Sequence, residues 1–170
     1  MLTPINGKRI CLETTGIGIV FHSPRFAEHI SEQEDYLESN YTTEDQVQSH
    51  IQSGTIVGFG TGTSGTFILR FHSSYPNEHF LHGCDFKLRL GLHCVGGKVC
   101  FRDLYDLMDW YRDCPEEQVL DLDDGFYHVT LCSNRPPSGI LGDQQVIDVY
   151  LQPLDEFPEL SKEGIPTLCM

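Results

Sequence analysis

The stretch Gly125-Phe126-Tyr127-His128-Val129-Thr130-Leu131-Cys132 decides the fold class, because apolar and polar side chains alternate along it. A period of two is typical of a strand with one face on a core and the other toward water. Phe86–His93 alternates in the same way, and the turn-forming residues Asp123-Asp124-Gly125 and Gly96-Gly97 border these runs. The sequence therefore predicts a mainly β (α+β) protein.

Further segments have strand-like composition, namely 10–13, 17–22, 55–59, 66–72, 98–102 and 145–151. The glycine-rich segment 61–65 is interpreted as a hairpin loop between two of them, and Gly96-Gly97 as a two-residue turn between two others. We expect antiparallel sheets made of hairpins, forming a sandwich or barrel-like domain.

Two short helices are predicted. Thr43 and Gln46 have the spacing of a capping box, and Gly54 is a plausible stop for a helix over 43–53. Asp103 is a candidate cap for a second helix over 103–111. Its inner stripe would comprise Leu104, Leu107, Met108 and Tyr111.

The alternation also predicts which side chains are buried. The expected core comprises Phe67, Leu69, Phe71, Leu88, Leu90, Leu92, Val99, Phe101, Tyr127, Val129, Leu131, Val146 and Tyr150. Their strand neighbours should be more exposed, namely Arg70, Lys87, Arg89, His128 and Thr130.

Residues 65–76 and 125–136 share a pattern of glycine, aromatic and apolar residues that ends in Ser and Pro. We interpret residues 8–76 and 86–152 as two tandem copies of one hairpin-rich unit. They would lie within a single domain, residues 1–170, with an extended tail over 153–170.

The composition limits the functional classes. A formal net charge of −14 disfavours binding to nucleic acid or to anionic membranes, because both need clustered Lys and Arg. The N-terminus has no apolar run of signal-peptide length, and the seven cysteines include no C-x-x-C pair. We expect a reduced, cytoplasmic protein without a cofactor.

Two chemical alternatives remain open. The segment from His79 to Asp85 holds candidate ligands for a metal or small molecule, namely His79, His82, Cys84 and Asp85, but no second ligand pair is visible. A Cys/His enzyme is the other alternative, with Cys94 or Cys132 beside His128. The sequence lacks the Gly-x-Ser-x-Gly and His-Glu-x-x-His motifs. We therefore expect that the protein is not an enzyme.

Charge patterning favours a protein-binding surface. There is no Lys or Arg from residue 26 to 69, and a second acidic stretch runs from Asp103 to Asp124. Acidic residues with interleaved aromatics suit capture of a basic protein, since complementary charge speeds encounter and aromatics anchor the complex. The candidate partner-binding residues are Glu34, Asp35, Tyr36, Glu38, Tyr105, Asp106, Asp109 and Trp110.

The second half of the chain resembles immunity-type proteins of bacterial polymorphic-toxin systems. The resemblance lies in Asp124–Val129, in Gly142-Asp143 and in the apolar strand Val146–Leu151. It implies a non-enzymatic inhibitor that sequesters a basic toxin or nuclease domain, and it carries over no catalytic residue.

Overall fold

The computed structural model describes residues 5–160 and 166–168. Its strands are β1 Arg9–Thr14, β2 Gly18–His22, β3 Ile56–Gly60, β4 Gly65–His72, β5 Phe86–Cys94, β6 Lys98–Asp103, β7 Val119–Asp121, β8 Gly125–Ser133 and β9 Gln145–Leu154. The α-helices are α1 Tyr36–Asn40, α2 Glu44–Ser53 and α3 Glu78–His82, and short 3₁₀ helices span Pro24–Ala27, Leu104–Met108 and Glu116–Gln118. The predicted mainly β (α+β) class is confirmed.

The strands form two open sheets that share one apolar core. The five-stranded sheet has the order β1-β4-β9-β8-β5, and the four-stranded sheet has the order β3-β2-β6-β7. Neither closes into a barrel within the described residues. Phe71 of the first sheet meets Phe101 of the second edge to face, with ring centroids 5.1 Å apart. Such aromatic contacts stabilise the core beyond the effect of the apolar area that they bury.

The predicted hairpins are wrong at two places. β3 and β4 lie in different sheets, and so do β5 and β6, so segment 61–65 and the Gly96-Gly97 turn cross from one sheet to the other. Both glycines of that turn have positive φ, 83° and 74°. Glycine adopts this conformation without steric cost, which permits the abrupt change of direction.

Each half of the chain visits the sheets in the same sequence. β1 and β4 lie on one side of β9 in the five-stranded sheet, and β8 and β5 lie on the other side. In the four-stranded sheet β2 and β6 are central, while β3 and β7 are at the edges. The tandem duplication of residues 8–76 and 86–152 stays a prediction.

The two predicted helices differ in outcome. The capping box of α2 is present, since Gln46 N donates to Thr43 Oγ1 at 3.2 Å and Thr43 N donates to Gln46 Oε1 at 3.1 Å. Residues 103–111 instead form only the 3₁₀ helix Leu104–Met108, capped by Asp103. Of the predicted inner stripe only Leu107 is fully buried, while Met108 and Tyr111 are 43% and 51% exposed.

The core prediction holds on every strand except β9. Ile147, Val149 and Leu151 are the buried apolar residues of that strand, whereas Val146 and Tyr150 are only half-buried. A shift of one residue exchanges the two faces of a strand, and the polar Asp148 shares the face of Val146 and Tyr150. Thr130, expected to be exposed, is buried, and its hydroxyl accepts a hydrogen bond from Arg89 Nε at 2.9 Å.

The predicted tail begins within β9, whose last residue is Leu154. Phe157 packs edge to face on Phe126, and Pro166 to Leu168 run along β3, where Gly60 N donates to Pro166 O at 2.8 Å. Residues 161–165 and 169–170 of that predicted tail lie outside the described residues. No helix in the described part of the chain is long and apolar enough to span a bilayer.

Leu90 tests the packing of the shared core. It is 1% exposed on β5, so Leu90→Ala should lower the free energy of unfolding by roughly 2–5 kcal/mol in urea denaturation. Ile140→Ala is the matched control, because Ile140 is 65% exposed and its truncation should change stability by less than about 0.5 kcal/mol. Equal effects of the two substitutions would contradict the observed core.

Candidate functional site

The two acidic stretches of the sequence meet in space. Gln33 N donates to Trp110 O at 2.6 Å, and Trp110 N donates to Glu34 O at 3.2 Å. Arg112 N donates to Glu32 Oε1 at 2.7 Å. These bonds pair the segment that leads into α1 with the segment that follows the 3₁₀ helix Leu104–Met108. The resulting acidic surface comprises Glu32, Glu34, Asp35, Glu38, Asp106 and Asp109.

Trp110 lies beneath this surface and not on it. Its side chain is 1% exposed, and the Arg102 guanidinium lies over its ring, 4.4 Å from the centroid. Tyr36 is also buried, at 5% exposure. Their predicted role as exposed anchors is therefore wrong, because both rings fill the layer under the acidic residues. Tyr105 is 43% exposed, as the prediction required.

Arg102 connects β6 to the acidic surface. The guanidinium is 2% exposed, its Nη2 donates to Arg112 O at 3.1 Å, and its Nη1 lies 3.7 Å from Asp106 Oδ2. Burial raises the pKa of Asp106, and the Arg102 charge opposes that rise only in part. Arg102 thus holds the acidic loop, residues 103–113, on the sheet. The Asp106 carboxylate of this loop compensates the Arg102 charge only in part.

Asp103 fixes the start of the same loop. Its carboxylate accepts hydrogen bonds from Thr15 N at 2.7 Å, from Gly16 N at 3.1 Å and from Tyr105 N at 3.1 Å. One buried carboxylate therefore caps the 3₁₀ helix and ties it to the β1–β2 connection. Tyr105 is positioned beside Asp106 by this cap.

Tyr36 performs the equivalent task for α1. Its hydroxyl lies 2.9 Å from His50 Nε2 on α2 and 3.3 Å from His29 Nε2. Burial raises the pKa of Tyr36, so the phenol stays protonated at neutral pH. The network locks α1, which carries Glu38, against α2.

A second polar cluster lies on the five-stranded sheet, where no functional residue was predicted. Arg70 Nε and Nη2 donate to Asp148 Oδ1 and Oδ2 at 2.6 and 2.9 Å, and His72 Nε2 lies 2.8 Å from Asp148 Oδ1. The His72 ring stacks on Tyr150 at 4.2 Å. Burial would raise the pKa of Asp148, but hydrogen bonds from Arg70 and His72 hold it below its usual value. The signal in the sequence was a set of polar residues on the outward positions of central strands.

A shallow cleft of about 220 Å³ opens beside this cluster, lined by Arg70, Phe80, Asn134, Arg135, Pro136, Pro137, Gln144, Val146 and Asp148. Arg70 bonds both carboxylate oxygens of Asp148 in a bidentate ion pair, so the two charges offset each other. We read the cluster as a sheet-stabilising ion pair.

The predicted metal or ligand cluster does not converge. His79 and His82 are exposed on α3, whereas Cys84 is buried and its Sγ donates to Phe80 O at 3.3 Å. Asp85 accepts a hydrogen bond from Arg135 N at 3.0 Å. Within residues 5–160 and 166–168 no three or more His, Cys, Asp or Glu are grouped to hold a metal ion.

The Cys/His pair of the enzyme alternative is also not formed. His128 Nδ1 lies 2.7 Å from the Tyr75 hydroxyl, and Cys94 Sγ donates to Leu122 O at 3.5 Å. Burial raises the pKa of Cys132 to about 12. A thiol in that state is a poor nucleophile at neutral pH.

Comparison with known proteins gives similarity of fold without similarity of sequence. No protein-family model matches the chain, and no curated protein matches it. ComJ from Bacillus subtilis, described as an inhibitor of the DNA-degrading activity of NucA, superposes with a TM-score of 0.50 at 12% identity, over 91% of this chain and 99% of ComJ. The protein described as crocagin biosynthetic gene J superposes with a TM-score of 0.52 at 15% identity, over 84% of this chain and 94% of its own. The fold is therefore shared with these two structures.

Trp110 tests whether the acidic surface depends on the buried layer. Trp110→Ala should lower the free energy of unfolding by about 3–5 kcal/mol, because it leaves a cavity and removes the ring beneath Arg102. Chemical denaturation measures this loss. Tyr111→Ala is the control at a 51% exposed aromatic and should be nearly neutral. A stability loss below about 1 kcal/mol for Trp110→Ala would contradict the dependence of the acidic surface on the buried Trp110 ring.

His22 predicts a pH dependence of stability. It is 1% exposed beside Trp110, its Nδ1 donates to Ser23 O at 3.0 Å, and burial together with the Arg102 charge lowers its pKa from 6.5 to about 4. As the pH falls, His22 therefore binds a proton in the unfolded state before it does so in the folded state. Stability from this group is complete above pH 6.5 and is lost as pH falls toward 4, by about 3 kcal/mol in all.

The measurement is urea denaturation at a series of pH values between 7 and 4. His22→Asn keeps a donor for Ser23 O and removes the titrating ring, so its stability should fall less steeply over this range than that of the unsubstituted protein. Parallel pH profiles of the two proteins would show that His22 does not carry the effect.

Proposed function

We propose that this chain is a non-enzymatic inhibitor that binds a basic nuclease or toxin domain through its acidic surface. The observation that carries the proposal is the meeting of two acidic stretches over Trp110, joined by the bonds of Gln33 and Glu34 to Trp110. The shared fold with ComJ, an inhibitor of a DNA-degrading protein, supports the same class of function.

The chemistry of such a partner fits the surface. A nuclease domain contacts the phosphates of its substrate with Lys and Arg, so its substrate groove is positively charged. Carboxylates spaced along α1 and the 3₁₀ helix Leu104–Met108 offer the same sign of charge as a phosphate backbone. Complementary charge of this kind raises the association rate and aligns the partners before contact.

Exposed apolar groups within the surface supply the second requirement of a tight complex. Tyr105, Met108 and Tyr111 are 43%, 43% and 51% exposed, and they flank Asp106 and Asp109. Aromatic side chains at the centre of an interface dominate its binding energy, while the charged rim contributes less. These three side chains take the anchoring role that Trp110 cannot fill.

Inhibition of a nuclease tests the proposed function directly. The purified chain should suppress degradation of plasmid DNA by a nuclease encoded beside its own gene, in proportion to a one-to-one complex. NucA provides a second, heterologous target, since ComJ inhibits it. A stoichiometric complex without metal or nucleotide addition is the expected result, and free nuclease activity at a molar excess of this chain would contradict the proposal.

Charge reversal tests the surface itself. Glu38→Lys with Asp109→Lys should slow association with that nuclease at least about tenfold at low salt and flatten its salt dependence, with little change in dissociation rate. Asp106 is left intact because it lies beside the buried Arg102. Surface plasmon resonance at several salt concentrations measures both rates.

The control carries the same change in net charge elsewhere. Glu78→Lys with Glu156→Lys alters exposed residues of α3 and of the segment after β9. This variant should keep most of the association rate. An equal loss in both variants would assign the effect to overall charge and would remove the acidic surface from the proposal.

A further inference from the structure

Arg89 is held in place on the outward face of the five-stranded sheet. Its Nε donates to Thr130 Oγ1 on β8 at 2.9 Å, and its guanidinium carbon lies over the Tyr75 ring, 5.1 Å from the centroid. The Tyr75 hydroxyl lies in turn 2.7 Å from His128 Nδ1. These contacts restrain one edge and one face of the planar guanidinium, so its two terminal nitrogens have a defined position.

The terminal nitrogens of Arg89 have no acceptor among the described residues, and the side chain is exposed. Arg70 differs, because its Nε and Nη2 both donate to Asp148. The register accounts for the difference, since Arg70 lies opposite Asp148 whereas Arg89 lies opposite Thr130. A neutral hydroxyl accepts one hydrogen bond from Arg89 and leaves the charge of the guanidinium uncompensated.

Lys87 adds a second cation to the same place. It precedes Arg89 by two residues on β5, and side chains two residues apart share a face of a strand. Its Nζ donates to Leu81 O of α3 at 3.3 Å. Both cations line a depression of about 230 Å³ together with Leu81, Leu88 and Thr130. Two positive charges therefore border one small depression on a rigid strand.

No carboxylate in the part of the chain that the structure describes forms an ion pair with Lys87 or Arg89. Asp148 lies two strands away from Lys87 in the same row of the sheet, about 10 Å, and is already bonded by Arg70. Asp85 precedes Lys87 by two residues and accepts a hydrogen bond from Arg135 N. The two cations thus keep their charge in a chain with 25 Asp and Glu against 11 Lys and Arg.

We propose that Lys87 and Arg89 form a binding site for a phosphate monoester, with the phosphate group in the depression between them. The fork of an arginine matches two oxygens of a phosphate or of a carboxylate. Two adjacent cations favour the phosphate, because a monoester carries between one and two negative charges at neutral pH, whereas a carboxylate carries one.

The size of the depression agrees with a small ligand. Its volume of about 230 Å³ is several times the roughly 30 Å³ that one water molecule occupies in the liquid, so part of the group that carries the phosphate also fits. A nucleic-acid strand would need further cations along its path. The site uses no residue of the acidic surface and is independent of the proposed inhibitor function.

Nuclear magnetic resonance titration of the full chain tests the site. The probe is phenyl phosphate, and sodium chloride holds the ionic strength constant. The Arg89 Nε–H signal should shift and reach saturation, with a dissociation constant of about 1–10 mM, the range expected for one charged group on an exposed surface. Acetate should bind at least about threefold more weakly, because it carries less charge.

Substitutions assign the binding to the two cations. Arg89→Gln should weaken binding of phenyl phosphate at least about fivefold, and Lys87→Gln about threefold. Arg9→Gln is the matched control, because Arg9 is exposed on β1, at the opposite edge of the same sheet, and loses the same charge. It should change the dissociation constant by less than about 1.5-fold.

Tyr75 is a positioning residue, since it acts on the phosphate through Arg89. Tyr75→Phe keeps a ring beneath the guanidinium and should retain the affinity for phenyl phosphate. Tyr75→Ala removes the ring and should weaken binding about twofold or more. Equal affinities of these two variants would remove Tyr75 from the site.

Three results would overturn the proposal. One is an Arg89 signal that shifts in proportion to phenyl phosphate without saturation, and another is an equal loss of affinity in Arg89→Gln and Arg9→Gln. The third is acetate that binds as tightly as phenyl phosphate. The amide spectrum of each variant shows whether it is folded, and if Arg89→Gln is not folded, Lys87→Gln takes its place in the comparison with Arg9→Gln.

Discussion

The arrangement of the acidic surface depends on a buried cation, Arg102, held against the ring of Trp110. Removing a guanidinium from water is costly unless its donors and charge are compensated. Here the compensation comes from the indole face at 4.4 Å, from Arg112 O and from the more distant Asp106. Each of these groups belongs to the acidic loop, so Arg102 keeps these contacts only while the loop stays on the sheet.

The same constraint explains why irregular segments carry the functional residues. Other parts of the chain cover the outward face of the four-stranded sheet. His22 and Arg102 therefore lie in the interior, and each is 1–2% exposed. A sheet that is buried on both faces is a rigid base, and loops fixed to it can present charged groups in defined positions. The five-stranded sheet differs, because its outward face carries the Arg70–Asp148 ion pair, in which the Arg70 side chain is 37% exposed.

Much of the fold was readable from the sequence, and the failures have physical causes. Alternation located eight of the strands, and the Thr43–Gln46 spacing predicted α2 because both signals are local. Which sheet a strand joins is decided by long-range packing, so the sheet-crossing turns were mistaken for hairpins. On β9 the signal was present but misread, since Asp148 marks the outward face that Val146 and Tyr150 share.

The candidate site shows the same division. The pattern of charges along the chain predicted Glu38 and Asp109 as surface residues, and both side chains are exposed. The burial of Trp110 was not predictable from its neighbours in sequence, because its partners Arg102 and His22 come from β6 and β2. A lone tryptophan among acidic residues looks like an anchor in sequence, whereas packing against a buried arginine makes it part of the interior.

The position of β9 has a consequence for how the chain reaches its native state. β9 pairs in parallel with β4 and antiparallel with β8, and it contributes Asp148 to Arg70, 78 residues earlier. Until this strand arrives, β4 and β8 each have an unpaired edge, and such edges recruit other chains. Contacts of this range make folding slow relative to local structure formation. Biosynthesis of the five-stranded sheet therefore ends with its central strand, and nascent chains interrupted before residue 145 are the species that chaperones and proteases would meet.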